Sequence, residues 1–252
     1  MRIKIPKYLL VIFCLIVNAQ LISQVHVVPI GDRKIEPQQS LSQGRINAIT
    51  EDDNGIMWIG TLDGLNSYDG YNIQVFRHKI GDSTSISNNT INDLDKDTKG
   101  NIWIATENGL NLVNPKTNTF KSFLVKTNSF KGRNENQITA VYVDENNIVW
   151  YSTYGAGIVK FDYEKGNKEY VSLDIDSLGE ACQNVKKFIV DYEGYIWYAC
   201  ANGNLYKVDV VNKTIENIKF DGVSDEIVNK TFISSMFKSS SGKIYFTTQG
   251  EN

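Results

Sequence analysis

One seven-residue pattern returns five times along the chain, and that recurrence limits the fold more than any other feature. Gly55-Ile-Met-Trp-Ile-Gly-Thr61, Gly100-Asn-Ile-Trp-Ile-Ala-Thr106, Asn147-Ile-Val-Trp-Tyr-Ser-Thr153 and Gly194-Tyr-Ile-Trp-Tyr-Ala-Cys200 fill the same positions. A fifth copy, Gly242-Lys-Ile-Tyr-Phe-Thr-Thr248, carries Tyr in place of Trp. The anchors Trp58, Trp103, Trp150, Trp197 and Tyr245 are spaced by 45, 47, 47 and 48 residues. Twelve residues before each anchor stands a β-branched residue: Ile46, Ile91, Ile138, Val185 and Ile233. Six before the first four stands an aspartate: Asp52, Asp97, Asp144 and Asp191; the fifth has Ser239. A fixed period of this length marks an array of one supersecondary unit.

Each unit reads as short strands separated by turns. In the first, Ile46–Thr50, Ile56–Thr61, Leu65–Tyr68 and Tyr71–Phe76 are β-rich, and Asp52–Gly55, Asp63-Gly64 and Asp69-Gly70 are turn sequences. The second repeats this with Ile91–Leu94, Ile102–Thr106, Leu110–Val113 and Thr119–Phe123. Four short antiparallel strands per unit make a β-propeller blade. The expected fold is therefore all-β, a propeller of four-stranded blades over residues 41–252. It comprises four complete blades and the start of a fifth, an incomplete ring truncated in blade five. The connections between units are long, at residues 77–90, 124–137, 173–184 and 220–232. They share one face with the turns between second and third strands, which makes that face the candidate for binding.

Residues 1–40 are of a different kind. Arg2, Lys4 and Lys7 precede the apolar run Tyr8–Val17, and Val17-Asn18-Ala19 suits a cleavage site. The layout is that of a signal peptide spanning 1–19, with cleavage after Ala19 or, second, after Ser23. Residues 20–40 form an N-terminal strand or linker, with Val25–Ile30 as the strand. No later run is apolar enough to span a bilayer. The net charge of −3 becomes −6 without residues 1–19, which argues against nucleic acid as a partner. Two cysteines then follow, Cys182 and Cys200. Export permits a disulfide between them, but two buried free thiols are the preferred reading, since Cys200 stands where other units carry Thr.

The recurring residues have structural explanations. A large aromatic at one strand position of every blade fills the wedge between sheets, so Trp58, Trp103, Trp150, Trp197 and Tyr245 are expected in the core. Asp52, Asp97, Asp144 and Asp191 each head a turn whose amides they cap. The run Asp93–Gly100 resembles the start of a calcium loop, but it lacks the required Gly and Glu, with Ile104 at the twelfth place. Gly155-Ala-Gly157 is a strand turn. With only His26 and His78 in the chain, no Ser/His/Asp set, Cys/His pair or metal cluster is available. No catalytic residue and no cofactor are expected. Arg45, Arg77, His78 and Arg133 lie near the loop face and are the ligand-binding candidates, for carboxylate or sulfate groups.

These residues carry a resemblance. Leu41–Ile49, Asn54–Tyr71 and Val75–His78 look like the opening of the periplasmic sensor of hybrid two-component systems, whose repeats are called two-component regulator propeller repeats. Gly100–Asn114 fits the same consensus, with Ala105 for Gly and Val113 for Tyr. The resemblance implies a seven-bladed propeller followed by a second one, an immunoglobulin-like domain, a membrane span, a histidine kinase, a receiver and a DNA-binding domain. It implies a periplasmic sensor of oligosaccharide, anchored in the inner membrane and acting as a homodimer in the full-length receptor, that controls a kinase absent from these residues. The alternatives are a stand-alone propeller binding a protein or glycan and, less favoured, a propeller lyase or glycosidase.

Overall fold

The computed structural model describes residues 40–124, 134–154, 157–171, 185, 187–200, 203–219 and 231–250. They belong to one unit, Gln39–Asn252. The signal segment 1–19, the linker up to residue 39 and its strand Val25–Ile30 lie outside the described residues.

The first sheet is built from β1 (Ile46–Glu51), β2 (Met57–Thr61), β3 (Gly64–Tyr68) and β4 (Ile73–Phe76), hydrogen-bonded in that order. The second has β5 (Ile91–Lys96), β6 (Ile102–Thr106), β7 (Gly109–Asn114) and β8 (Thr119–Phe123). The third has β9 (Asn134–Val143), β10 (Ile148–Tyr154), β11 (Gly157–Asp162) and β12 (Asn167–Val171). The fourth has β13 (Lys187–Val190), β14 (Ile196–Ala199), β15 (Leu205–Asp209) and β16 (Thr214–Ile218). The pair β17 (Thr231–Lys238) and β18 (Ile244–Gly250) begins a fifth. Every pairing is antiparallel. No helix occurs among the described residues. The fold is all-β, and these sheets are propeller blades.

In each of the first four blades, the turn between the first and second strands is organised by one carboxylate. Asp52 Oδ1 accepts the N–H groups of Asn54 (2.8 Å) and Ile56 (3.1 Å). Asp97, Asp144 and Asp191 do the same for the second and fourth residues after them. The other oxygen, Oδ2, accepts the indole N–H of the blade's own tryptophan. These bonds join Trp58 to Asp52 (3.2 Å), Trp103 to Asp97 (3.3 Å), Trp150 to Asp144 (3.0 Å) and Trp197 to Asp191 (2.7 Å). The aspartate and tryptophan rows are thus one device. In the fifth unit both members change together. Ser239 Oγ still accepts the Lys243 N–H (3.1 Å), and Tyr245 has no indole to place. Gly55 supplies the left-handed φ of 79° that the turn requires; in the third unit Asn147 takes that conformation at 60°.

The core lies between blades. Trp58, Leu65, Ile91 and Ile102 pack in the first junction, Trp103, Leu110, Ile138 and Val149 in the second, and Trp150, Ile158, Val185 and Ile196 in the third. Ile233 closes the fourth with Ala199 and Leu205. Trp58 and Trp103 are 1% exposed and Trp150 5%. Trp197 is half-buried. Tyr245, expected in the core, is instead 55% exposed: among the described residues its two-stranded sheet, β17 and β18, has no later sheet packed over it. Small residues at Gly60, Ala105, Ser152 and Ala199 let adjacent sheets approach. A Cβ at Gly60 would stand 2.6 Å from Ile91 Cγ2. Polar side chains tie the inner strands in series. Asn47 Nδ2 donates to Ile91 O (2.8 Å), Asn92 Nδ2 to Ile138 O (2.8 Å) and Thr139 Oγ1 to Val185 O (2.8 Å).

The free-thiol expectation does not hold for Cys200. It is fully buried and disulfide-bonded. Cys182 lies outside the described residues. Burial of the Cys200 position follows from the blade pattern, as expected from its Thr counterparts; its oxidation does not.

The carboxylate device is testable. Asp97→Ala removes two backbone caps and the indole acceptor together, and is expected to cost roughly 2–4 kcal/mol in urea denaturation. Asp97→Asn keeps an oxygen for the turn but offers an N–H to the indole, and should recover only part of that loss. Equal stability of Asp97→Ala and the unaltered chain would rule the device out.

Candidate functional site

Antiparallel order places two kinds of connection at opposite ends of every blade. The Asp turns lie at one end. The turns between second and third strands lie at the other, with the between-blade loops. Only the first such loop, residues 77–90, is described throughout.

That loop is fastened at both ends. Arg77 donates through Nε to Asp63 O (3.0 Å) and pairs through Nη2 with Asp63 Oδ2 (3.0 Å). His78 N–H donates to Asn89 Oδ1 (2.7 Å), and His78 Nδ1 lies 2.8 Å from Ile86 O. A carbonyl only accepts, so Nδ1 carries the proton and Nε2 is left as the acceptor of the neutral ring. Asn89 O accepts from Gly64 N–H (2.8 Å), Thr90 Oγ1 donates to Leu62 O (3.2 Å), and Glu107 N–H donates to Thr90 O (3.2 Å). Asp82 caps the loop's inner turn. Hydrogen bonds from Thr84, its side chain foremost, hold the Asp82 carboxyl below the usual carboxylate range. Ile86, 1% exposed, plugs into the first junction.

The end of loop 77–90 is locked by a buried polar triad. Asn111 is fully buried; its Oδ1 accepts Ser87 N–H (3.0 Å) and its Nδ2 donates to Ser87 Oγ (2.8 Å). Ser87 Oγ also meets Thr106 Oγ1 at 3.2 Å. Thr106 in turn donates to Gly109 O (2.7 Å), closing the turn between second and third strands. Ser42, Thr61 and Asn66 make the same set one unit earlier. The loop and the turn beside it are therefore one body.

The four candidate residues fall in different settings. Arg45 is exposed, and its backbone N–H donates to Gln43 Oε1. Arg77 and His78 brace the loop as described, with the Arg77 side chain 45% exposed. Arg133 lies outside the described residues. Exposed pairs of the Arg77–Asp63 kind contribute under about 1 kcal/mol.

Other side chains on this face lay outside the sequence reading. Leu62, Glu107 and Tyr154 each follow the threonine of their unit and stand at the same turn position; Tyr154 is 47% exposed. Tyr170 is 50% exposed, with its Oη 3.5 Å from Glu135 Oε2. Beneath them, burial raises the Tyr151 hydroxyl pKa and lowers that of Lys168, whose ammonium stands 5.8 Å from the Tyr151 ring centre. The signal that could have found Tyr154 was its fixed place after Thr153. Among the described residues no group of His, Cys, Asp or Glu could hold a metal ion. Asp97, from the run that resembled a calcium loop, is spent on its turn. No described helix is long and apolar enough to cross a membrane.

Comparison with known proteins agrees with the repeat. Residues 40–63 and 85–108 match the two component regulator propeller family, so the chain carries repeats of that kind. Histidine kinase P4 of Formosa agariphila is 36% identical over 50 residues, which is 20% of this chain and 4% of that protein. The extracellular domain of the hybrid two component system BT3049 from B. thetaiotaomicron superposes with a TM-score of 0.67 at 23% identity. The match covers 85% of this chain and 29% of that one. The corresponding domain of BT4673 from the same organism gives 0.63 at 20%, covering 80% and 28%. The chain thus spans under a third of those structures, and at these identities the likeness speaks for the fold.

The loop anchor makes a prediction. Asn111→Ala should cost about 1–3 kcal/mol by stranding buried partners, and should speed proteolysis within residues 77–90. Unchanged cleavage there would separate the triad from the loop.

Proposed function

We propose that this propeller is the ligand-sensing module of a two-component system, exported to the periplasm, and that it takes oligosaccharide on the loop face. The observation that carries the reading is the pair of regulator propeller repeats at residues 40–63 and 85–108. The structural relatives named above are extracellular domains of such systems. The site chemistry is consistent with a sugar. Exposed rings at Tyr154 and Tyr170 offer apolar faces, and Glu135 and Glu107 stand on the same side as hydrogen-bond acceptors. Arg45 adds a cation for an acidic glycan. The work of this chain is binding; the kinase it would control is supplied elsewhere in the receptor, which acts as a homodimer. Residues 1–19 serve as the export signal.

The test is calorimetric titration of the chain with short neutral and uronate-containing oligosaccharides. At least one class should bind, and Tyr154→Ala should weaken it about tenfold, the loss of one stacking contact. Tyr71→Ala, exposed at the opposite end of the blade, should leave binding unchanged. Binding of neither class, or equal loss from both substitutions, would overturn the reading.

A further inference from the structure

Where the second and third blades meet, their inner strands share one carboxylate. Asp95 on β5 accepts the N–H of Lys96 through Oδ1 (2.9 Å) and the N–H of Val143 on β9 through Oδ2 (2.6 Å). Lys96 and Val143 each stand seven residues before their unit's tryptophan. One side chain therefore spans equivalent main-chain donors of adjacent strands. Two residues earlier, Asp93 Oδ2 accepts Val141 N–H (3.3 Å), and Asp93 Oδ1 pairs with Lys187 Nζ of β13 (2.6 Å). The places of Asp93 and Asp95 are held by Ala48 and Thr50 in the first unit, Ala140 and Tyr142 in the third, and Lys187 and Ile189 in the fourth. The acidic pair is a departure from the repeat at one junction.

The charged and titratable groups around Asp95 are few. β5 itself contributes Asp93 and Lys96, the latter ion-paired with Asp53 at 2.9 Å. β9 contributes Tyr142, whose Oη donates to Val190 O and whose ring lies 5.5 Å from Lys238 Nζ. β13 contributes Lys187, and β1 carries Glu51, which is exposed. β6, Ile102–Thr106, has no ionisable side chain. Asp95 keeps partial exposure in this setting, so a proton can reach it.

An ionised carboxylate accepts on both oxygens. Protonation turns one oxygen into a hydroxyl, a donor and a much poorer acceptor, so its hold on a main-chain N–H weakens. We propose that Asp95 is a proton-linked clasp between the inner strands of the second and third blades: ionised, it holds both the Lys96 and Val143 amides; protonated, it releases one of them. Burial pushes its pKa up to about 7; the two amides and Lys187 oppose that rise, and the Asp93 charge adds to it. The clasp therefore changes state near neutrality. The folded pKa lies above the ordinary 3.8, so the folded chain binds a proton that the unfolded chain has released. The stability gained from that proton is fully present below the unfolded value and is lost as pH rises through about 7. That contribution is thus absent at alkaline pH, where the half-buried ionised carboxylate holds both amides.

The experiment is NMR on the full chain across that range, reading the Asp95 carboxyl carbon and amide exchange at Lys96 and Val143. Expected is a carboxyl titration near neutrality, with one of the two amides losing protection at the same midpoint as pH falls. Asp93→Asn removes the neighbouring negative charge and should lower the midpoint by about one pH unit. Lys187→Met should raise it. Asp95→Asn should abolish the step at the amides and flatten stability against pH between the two values. A carboxyl that titrates in the ordinary carboxylate range, or two amides protected alike throughout, would overturn the proposal. So would a midpoint unmoved by both neighbouring substitutions, which also keeps the test decisive should Asp95→Asn not fold.

Discussion

Each of the first four blades hangs on one hydrogen-bonded carboxylate, the aspartate that binds its own turn with one oxygen and its tryptophan's indole with the other. The bond fixes the indole against the turn, and the indole fills the wedge to the next blade. Local turn geometry and blade-to-blade packing are therefore set by the same residue. The two bonds also explain why the rows run together. A serine in the fifth unit still takes the turn amide, and there the indole is gone as well. The face of the ring is covered in two ways. Phe76 and Phe123 stack on Trp58 and Trp103, at 5.6 and 5.5 Å between centres. In the third and fourth blades, Lys160 and Lys207 bring ammonium groups 5.4 and 5.3 Å from the centres of Trp150 and Trp197.

Much of this was legible because it repeats. Ile91 and Ile138 are buried at successive junctions, and the strands Ile102–Thr106 and Thr119–Phe123 run as the alternation and turn residues indicate. The Asp-to-indole bond escaped sequence reading because each row had a sufficient explanation alone, a capped turn and a packed aromatic. The Ser42, Thr61 and Asn66 triad recurs as Ser87, Thr106 and Asn111 at the same spacings from the tryptophan, so its signal was present among the loop residues. What breaks the repeat was opaque. Asp93 and Asp95 from the second unit and Lys187 from the fourth come together from two repeats that do not predict one another. Cys200 has the burial of its threonine counterparts and a disulfide they cannot form.

The blade assigns different duties to its two ends. At the Asp-turn end, backbone and carboxylate bonds are saturated within the blade, and neighbouring turns are stitched by Lys96 to Asp53, Lys99 to Glu164 and Thr98 N–H to Asn147. At the loop end, the backbone of residues 77–90 is equally well held, but among the described residues the side chains that point outward are exposed rings, carboxylates and an arginine. A rigid frame that presents adaptable groups is what a binding face requires. Arg77 and His78 belong partly to the frame, since both fasten the loop that carries them.

Hydrogen–deuterium exchange of the chain with and without a bound oligosaccharide tests this division of labour most directly. The account predicts slower exchange confined to the loop end, over residues 77–90 and the turns at 61–64, 106–109 and 153–157, with the Asp turns at 52–55, 97–100 and 144–147 unchanged. Protection centred on the Asp turns, or no change at either end, would contradict it.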